Sequence, residues 1–283
     1  MGKAIPKVTE ENYFDPELRM PYMSVSQYKD FAGPEGCEAR ALATVTGKWK
    51  PPKKAVFGVG HYVEMSVTGD PAFPAYCEEH KAEIYNKDGK KKLAEYVTAD
   101  RCVERLRNCP EAMMFVAGSH VEQQVPLVGE IEGVLWKGLA DFVIECMKTV
   151  ADLKAMKNFA RDWSLRMVNG EKQWTKVPWY EVYRYPFQLW TYGKMLVQMR
   201  GWDEEEMRRV LVAVDKQMPC DLQPLCFLDQ RRLDLYAEKF LIPLPRVQAI
   251  KRGDIDPTYC RRNECAYCRE HAPFKMIEAD VEI

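Results

Sequence analysis

Asp141, Asp152 and Lys154 have residue types and spacings that could hold a divalent metal ion on a β-hairpin. Two runs rich in β-branched and aromatic residues surround a polar break, which predicts two antiparallel strands joined by a turn. If the turn is centred between Cys146 and Met147, paired residues have numbers that sum to 293, and Asp141 faces Asp152. Lys154 lies two residues after Asp152, on the same face of its strand.

The predicted hairpin is an unfavourable place for charge. Apolar residues fill both of its faces, with Leu139, Val143 and Val150 around the charged residues. Carboxylates on opposed residues, with Cβ atoms about 4.5–5.5 Å apart, repel each other, and burying them is costly unless a cation compensates. Taken alone, the hairpin leaves two interpretations open. Either a half-exposed sheet carries one salt bridge to Lys154, or a divalent metal neutralises both acids.

The hairpin also resembles a known signature. A strand bearing Asp, a turn, and a strand bearing Asp-x-Lys form the core of the PD-(D/E)xK nuclease superfamily, here Asp141 and Asp152-Leu153-Lys154. The stretches FGVGHYVE, VGEIEGVLWKGLADFV and YPFQLWTYGKML resemble the RecE/RecB-type exonuclease branch, especially its phage and prophage domains, from about Met23 to Cys268. The resemblance implies an α/β fold with a central mixed sheet flanked by helices, plus helical N-terminal and cysteine-containing C-terminal additions.

By this resemblance, Mg²⁺ or Mn²⁺ ions are held by Asp141, Asp152 and the Leu153 carbonyl. Lys154 would then orient the attacking water or offset charge on the phosphate. Ions at such a site activate water and stabilise the attacking and leaving oxygens.

A helix before the hairpin supplies one more ligand in that branch, at the fourth residue after a glycine. Counting from Gly60 gives Glu64, with His61 as the alternative. We prefer Glu64 because oxygen ligands suit Mg²⁺.

A later helix in the family carries Tyr-x-x-Gln-x-x-x-Tyr, which occurs here as Tyr185, Gln188 and Tyr192. The spacing places all three on one helix face. Gln188 is the functional candidate, near the scissile phosphate or the lysine. We interpret the tyrosines first as structural, and keep Tyr192 as a candidate DNA contact.

The cysteines indicate a second candidate metal site. Cys260, Cys265 and Cys268 lie at spacings typical of metal ligands, and Cys37 lies far upstream. Several RecB-type nucleases hold a [4Fe–4S] cluster with one cysteine before the nuclease motifs and three after them, and this chain is similar in layout but not in spacing. We rank an iron–sulfur cluster above a Cys₃His zinc site that uses His271, and both above unliganded thiols.

A net charge of −1 over 283 residues means that DNA affinity must come from local patches. Lys53 and Lys54, close to the Glu64 helix, are the candidates. The N-terminus lacks an apolar signal-peptide region, and no run of some 18 apolar residues occurs, so we expect a soluble, cytoplasmic protein without membrane contact.

We expect an extended segment over 1–22 and one nuclease domain over 23–283. The domain comprises a helical part (23–118), a sheet core (119–215) and a C-terminal helix with the cysteines (216–283). Helices are predicted from Ser24 to Phe31, around Cys37, and over 159–168, 181–199 and 229–241, with a return strand over 209–214.

The expected function is a RecE-like exonuclease that degrades linear duplex ends or single strands in phage or prophage recombination or in DNA repair. A single-strand annealing protein as partner and a homo-oligomeric ring are implied by the resemblance. The alternatives are a nuclease module of a helicase-associated complex and a non-catalytic DNA-binding or assembly protein on the same fold.

Overall fold

The computed structural model describes residues 6–33, 35–51, 56–168, 171–260 and 265–273, and its fold is mixed α/β. The strands, β1 to β7 in chain order, are Glu122–Ile131, Val134–Ile144, Thr149–Met156, Asp162–Val168, Glu171–Val177, Arg208–Asp215 and Leu222–Cys226. Five of them form a sheet in the order β1-β2-β3-β6-β7, and β4 pairs with β5 separately. Only β3 and β6 are parallel within this described sheet. The fold class expected from the sequence is confirmed.

The β2–β3 hairpin has the predicted register. Phe142 pairs with Ala151, which keeps the sum of 293. The turn contains a short 3₁₀ segment, Glu145–Met147, and ends at Lys148 with a φ of +44°. A lysine thus takes a left-handed position that favours glycine.

β3 lies at the centre of the sheet. It pairs with β6 along its whole length, from Thr149 opposite Arg208 to Met156 opposite Asp215. Sheets with parallel strands are usually covered on both faces, so their central strands are apolar. One face of β3 contributes Ala151 and Leu153 to a buried cluster with the helices that precede the sheet. Asp152, which lies between these two residues, and Lys154, which follows them, therefore face the other side of the sheet.

Helices make up much of the rest of the described chain. Those of the described residues, α1 to α12, are Val25–Ala32, Glu38–Val45, Val56–Thr68, Phe73–Glu79, Lys81–Ile84, Ala94–Arg107, Pro110–Val116, Trp179–Val182, Tyr185–Arg200, Gln230–Leu241, Leu244–Arg252 and Ala266–His271. The predicted helix after Ser24 is confirmed as α1, and Cys37 caps the start of α2. The predicted return strand is confirmed as β6, and the predicted helix over 229–241 as α10.

α9 approaches the sheet closely because glycines stand at the contact. A Cβ on Gly138 of β2 would lie 2.7 Å from the Tyr192 Cε1 atom, and one on Gly193 would lie 2.6 Å from Nε of Arg209. Distances below about 3 Å are not tolerated between packed carbons. The missing side chains therefore let α9 lie against the face of the sheet opposite α3 and α6.

The helix predicted over 159–168 is wrong. Residues Asp162–Val168 form β4, which pairs with β5 from Asp162 opposite Val177 to Val168 opposite Glu171. The aromatic and apolar residues of this stretch fit a spacing of four as well as a spacing of two. The Asn169-Gly170 dipeptide that follows is a hairpin signal in the sequence, and it should have favoured two strands.

The chain divides into two compact units: Met1–Val25 with Pro52–Leu241, and Ser26–Pro51 with Ile242–Ile283. The first contains the sheet. In the second, Glu38 of α2 pairs with Arg246 of α11 at 2.7 Å. The division of the sequence into segments 1–22 and 23–283 stays a prediction. No helix among the described residues is long and apolar enough to cross a bilayer.

Candidate active site

Asp141 of β2 meets Asp152 and Lys154 of β3 just beyond the last ladder pair of the hairpin. The Lys154 Nζ atom lies 2.6 Å from Oδ2 of Asp152 and 3.4 Å from Oδ2 of Asp141. It also donates to the Leu153 carbonyl at 3.1 Å. The side chain of Lys154 is 25% exposed and that of Asp141 15% exposed. The structure thus brings the three predicted residues together, with Lys154 and Asp141 partly open to solvent.

The strands separate at the acids. Ladder pairing of β2 with β3 ends at Phe142 and Ala151, and the Leu153 amide donates to the Asp141 carboxylate at 3.1 Å. On the other edge of β2, the ladder with β1 omits Gln124, which lies opposite Asp141. The φ of Gln124 is +49°. The Asp141 side chain therefore takes the place of a ladder acceptor and reaches across the gap between the strands.

Asp152 is almost completely buried, with 1% of its side chain exposed. The Gln188 amide donates to Oδ1 at 2.8 Å. Oδ2 has the ionic contact with Lys154 but no hydrogen bond of acceptable geometry. Burial and then the Asp141 charge raise the pKa of Asp152 to about 7. Burial alone would lower the pKa of Lys154, but the two acids outweigh it and raise that pKa well above its ordinary value.

This set of donors fits a divalent cation. A buried carboxylate oxygen without a hydrogen bond lies beside a second carboxylate and the Leu153 carbonyl. Oxygen ligands of this kind suit Mg²⁺ and Mn²⁺. A cation here would also offset the repulsion between Asp141 and Asp152 that raises the pKa of the buried acid.

Glu64 of α3 lies near these acids. Its carboxylate accepts a hydrogen bond from the Gln124 amide, and burial followed by the Asp141 charge raises its pKa to about 8. Among the described residues, Glu64, Asp141 and Asp152 are not a group of ligand atoms within 4.8 Å of one another. His61, one turn earlier, is exposed, and its ring lies against a tyrosine. Glu64 is half-buried and influenced by the charges of both Asp141 and Asp152, whereas His61 is exposed. The role of Glu64 as the further ligand stays a prediction.

The family motif on α9 lies over β3. Besides its bond to Asp152, the Gln188 amide lies 3.3 Å from the hydroxyl of Tyr192. Tyr192 is 7% exposed, so its present contacts are within the protein. The Lys154 Nζ atom lies 5.8 Å from the centre of the Tyr185 ring. All three motif residues therefore surround the acid–lysine cluster from one helix face.

Lys53 and Lys54, the predicted DNA contacts, lie outside the described residues. Gln124, which contacts Glu64 and breaks the ladder opposite Asp141, was not predicted. A positive φ at a glutamine has no signature in a single sequence, because it arises from tertiary contacts.

Cys37, Cys260, Cys265 and Cys268 converge in the second unit, where their sulfurs all lie within 4.8 Å of one another. The Sγ atoms of Cys37 and Cys268 are 3.3 Å apart. Backbone N–H groups of Cys265 and Cys268 donate to the sulfurs of Cys260 and Cys265, each at 3.4 Å. Such bonds stabilise negative charge on sulfur.

The cysteine cluster has the donor set of a metal site. Burial raises the pKa of Cys268 above its ordinary value, so a thiolate there requires a nearby cation. A tetrahedral zinc ion with bonds of about 2.3 Å separates its ligands by about 3.8 Å, which agrees with the compact arrangement. A [4Fe–4S] cluster places its four thiolates farther apart. His271, the fourth ligand of the predicted Cys₃His zinc site, stacks on Tyr267 at 4.4 Å. Cys37, and not His271, is the fourth residue beside the three C-terminal cysteines.

Comparison with known proteins agrees with this geometry. Residues 24–271 match the model of a family described as PDDEXK-like domain of unknown function (DUF3799). Among solved structures, the chain is similar to one named a putative exonuclease from Eubacterium rectale, solved at 2.19 Å resolution. The TM-score is 0.81 and the sequence identity 25%, over 97% of each chain. No curated protein matches. Since the family model spans most of its length, the chain belongs to this family of PDDEXK-like domains.

Proposed function

We propose that this chain is a Mg²⁺- or Mn²⁺-dependent exonuclease that hydrolyses phosphodiester bonds of linear DNA. The observation that carries the proposal is the buried Asp152 carboxylate, which lies beside a second acid, Asp141, and contacts Lys154 at 2.6 Å. Burying an acid in this state costs stability, and perturbed acids of this kind cluster at functional sites. Membership of the PDDEXK-like family supports a nuclease.

In this proposal, Asp141 and Asp152 hold the ion, with the Leu153 carbonyl and Glu64 as further oxygen ligands. The ion, when bound, supplies positive charge to the attacking and leaving oxygens of the phosphodiester. Lys154, 2.6 Å from Asp152, orients the attacking water and offsets the charge that develops on the phosphate.

Gln188 acts through Asp152. Its amide fixes the orientation of the carboxylate by donating to Oδ1, which leaves Oδ2 to face the ion. Partners of this kind commonly change metal affinity 10–100-fold. Tyr192, whose hydroxyl lies beside the same amide, supports the glutamine, and its proposed DNA contact is a separate role.

The choice of an exonuclease on linear DNA is supported by the solved neighbour, which is named a putative exonuclease, and by the RecE-like sequence motifs. We propose a role in phage or prophage recombination or in DNA repair, with a single-strand annealing protein as partner and a homo-oligomeric ring as the assembly. With a net charge of −1, DNA contacts must be local, and Lys53 and Lys54 remain candidates.

The decisive experiment uses one plasmid in linear and covalently closed circular forms. With Mg²⁺ or Mn²⁺ the linear form should be degraded while the closed circle survives, and EDTA should stop the reaction. Lys154→Ala should lose activity by orders of magnitude while remaining folded, and Lys90→Ala, an exposed lysine of a loop, is the matched control. Equal cutting of both forms would indicate an endonuclease. Absence of cutting with either ion would favour a module that requires a helicase partner.

We also propose that the four cysteines hold a metal that stabilises the second unit. The spacing of the sulfurs favours zinc, whereas the resemblance to RecB-type nucleases favours a [4Fe–4S] cluster. Protein purified without oxygen should contain either one zinc ion per chain or iron with acid-labile sulfide. Protein that contains no zinc, no iron and no acid-labile sulfide would refute the metal site.

A further inference from the structure

The β4–β5 hairpin presents two large aromatic side chains to solvent. Trp163 is 58% exposed and Trp174 63% exposed. Trp163 pairs with Lys176, and Leu165 pairs with Trp174. Alternation along each strand places these four residues on one side, which we call the tryptophan face. Indoles carry large apolar surfaces that proteins otherwise bury, so two exposed on one face indicate a binding surface.

The opposite side of the hairpin is its anchor. Ser164 and Val177 are 4% and 7% exposed. Arg166, two residues after Ser164, forms an ion pair with Glu181 of α8. The hairpin is therefore attached to the first unit through one side, and the tryptophan face is the side left open to solvent.

Positive charge borders the tryptophan face. Lys157, Arg161 and Lys176 are exposed, and Asp162 is the exposed acid in the same described stretch. Arg161, which directly precedes β4, donates to the Lys176 carbonyl of β5 at 2.9 Å, so the two cationic residues lie at the same end of the hairpin. These four exposed residues carry a net charge of +2, whereas the whole chain carries −1.

Aromatic rings interleaved with cations match one class of partner. Single-stranded nucleic acid offers unpaired bases that stack on aromatic rings and phosphates that pair with cations. A duplex hides the faces of its bases inside the stack. A second copy of this chain, with net charge −1, would gain little from a cationic rim. The cations thus favour a nucleic acid over a second copy of the chain, and the exposed rings favour an unpaired strand over a duplex.

The chain also ties the tryptophan face to the candidate active site. Arg161 is seven residues after Lys154, so it lies within about 24 Å, at about 3.4 Å per extended residue. β3 ends at Met156, whose sulfur is 3.7 Å from the Tyr185 hydroxyl. After the hairpin, the chain enters α8 and then α9, which carries Tyr185 and Gln188.

We propose that the tryptophan face binds single-stranded DNA, with unpaired bases stacked on Trp163 and Trp174 and phosphates paired with Arg161 and Lys176. Its biological role rests on the proposed nuclease function. The face would hold a strand that is separated from its complement beside the acids, either the strand about to be cut or the one left behind.

The test measures binding without hydrolysis. In EDTA, a fluorescein-labelled 20-nucleotide oligothymidine is titrated with the intact protein and followed by anisotropy. Trp163→Ala and Trp174→Ala should each weaken binding about 5-fold or more, and the double variant about 25-fold or more. Trp163→Phe, which keeps an aromatic ring, should bind within about 3-fold of wild type. Phe14→Ala removes an aromatic ring that is 74% exposed elsewhere, and it should change nothing.

Several results would overturn the proposal. Wild-type affinity in the double variant would do so, as would an equal loss in Phe14→Ala. A double variant with unchanged oligothymidine binding but an altered oligomeric state in sedimentation would show that the face is a subunit interface. The proposed nuclease function and the proposed binding by the tryptophan face are tested separately, because binding in EDTA needs no catalysis. Protein that binds the oligonucleotide through its tryptophans but cuts no DNA would refute the nuclease, while an active enzyme whose double variant binds normally would refute the face.

Discussion

Replacing Asp152 by asparagine should stabilise the metal-free protein while abolishing its nuclease activity. Asparagine keeps the shape of the side chain but carries no charge. The aspartate is 1% exposed, and its Oδ2 atom lacks a hydrogen bond. Burial and the Asp141 charge outweigh the ion pair with Lys154, so without a bound ion the ionised form is held at a cost that the neutral amide avoids.

The magnitude follows from the shifted pKa. In the folded protein the pKa of Asp152 is raised from 3.8 to about 7, which corresponds to an upper limit of about 4 kcal/mol at pH 8. Since part of the shift comes from the charge of Asp141, which is coupled to Asp152, we expect about half of this, ~2 kcal/mol. Between pH 4 and 7 the folded state retains a proton that the unfolded state has lost. Stability of the metal-free wild type must therefore fall as pH rises through this window.

Urea denaturation in EDTA at pH 5 and pH 8 measures both effects. Asp152→Asn should lose less stability than wild type between the two pH values and should be the more stable protein at pH 8. Added Mg²⁺ should raise the stability of wild type, because ligand binding favours the folded state, and should leave the variant unchanged. Asp88→Asn, in an exposed turn, is the control and should stay within about 0.5 kcal/mol. A variant less stable than wild type at pH 8, or one with wild-type nuclease activity, would refute the reasoning.

Three further results are expected. Cys265→Ser should lose bound metal and lower the unfolding midpoint of the purified protein, since metal binding contributes to folding, whereas Cys226→Ser, at an exposed cysteine, should do neither. Gly138→Ala should destabilise by about 1–3 kcal/mol, because its Cβ meets α9 at 2.7 Å. In the same urea titrations Gly60→Ala, where a Cβ meets nothing within 4 Å, should stabilise by about 0.5–1 kcal/mol. Gln188→Met should raise the Mg²⁺ concentration for half-maximal nuclease activity about 10–100-fold, and an unchanged requirement would contradict its positioning role.

The sequence was sufficient to predict the structure where the alternation of apolar residues and the positions of the charged residues agree. The period of two in the hairpin, together with the position of its polar break, predicted a register that the ladder confirms at Phe142 and Ala151. The same register brought Asp141, Asp152 and Lys154 together. These residues are close in the chain, so few tertiary contacts are needed to place them.

Other features depend on contacts that no local pattern encodes. The stretch from Phe159 to Val168 was misassigned because its apolar spacing suits a helix as well as a strand. The left-handed Gln124 arises where β1 meets β2 and α3. The separation of the strands at Asp141 likewise depends on a side chain that replaces a backbone acceptor. Intrinsic secondary-structure propensities could not reveal these three features, because tertiary contacts determine them.

The convergence of Cys37 with Cys260, Cys265 and Cys268 has a consequence for how the protein is made. Cys37 precedes Cys260 by 223 positions. At about 5–20 residues per second, a ribosome needs about 10 to 45 s to bridge that interval. During synthesis, Cys37 is therefore a free thiol without its three partners, open to oxidants and to other metals. The four sulfurs can come together only after Cys268 has left the ribosome, so the metal that we propose for them could be taken up only from that moment.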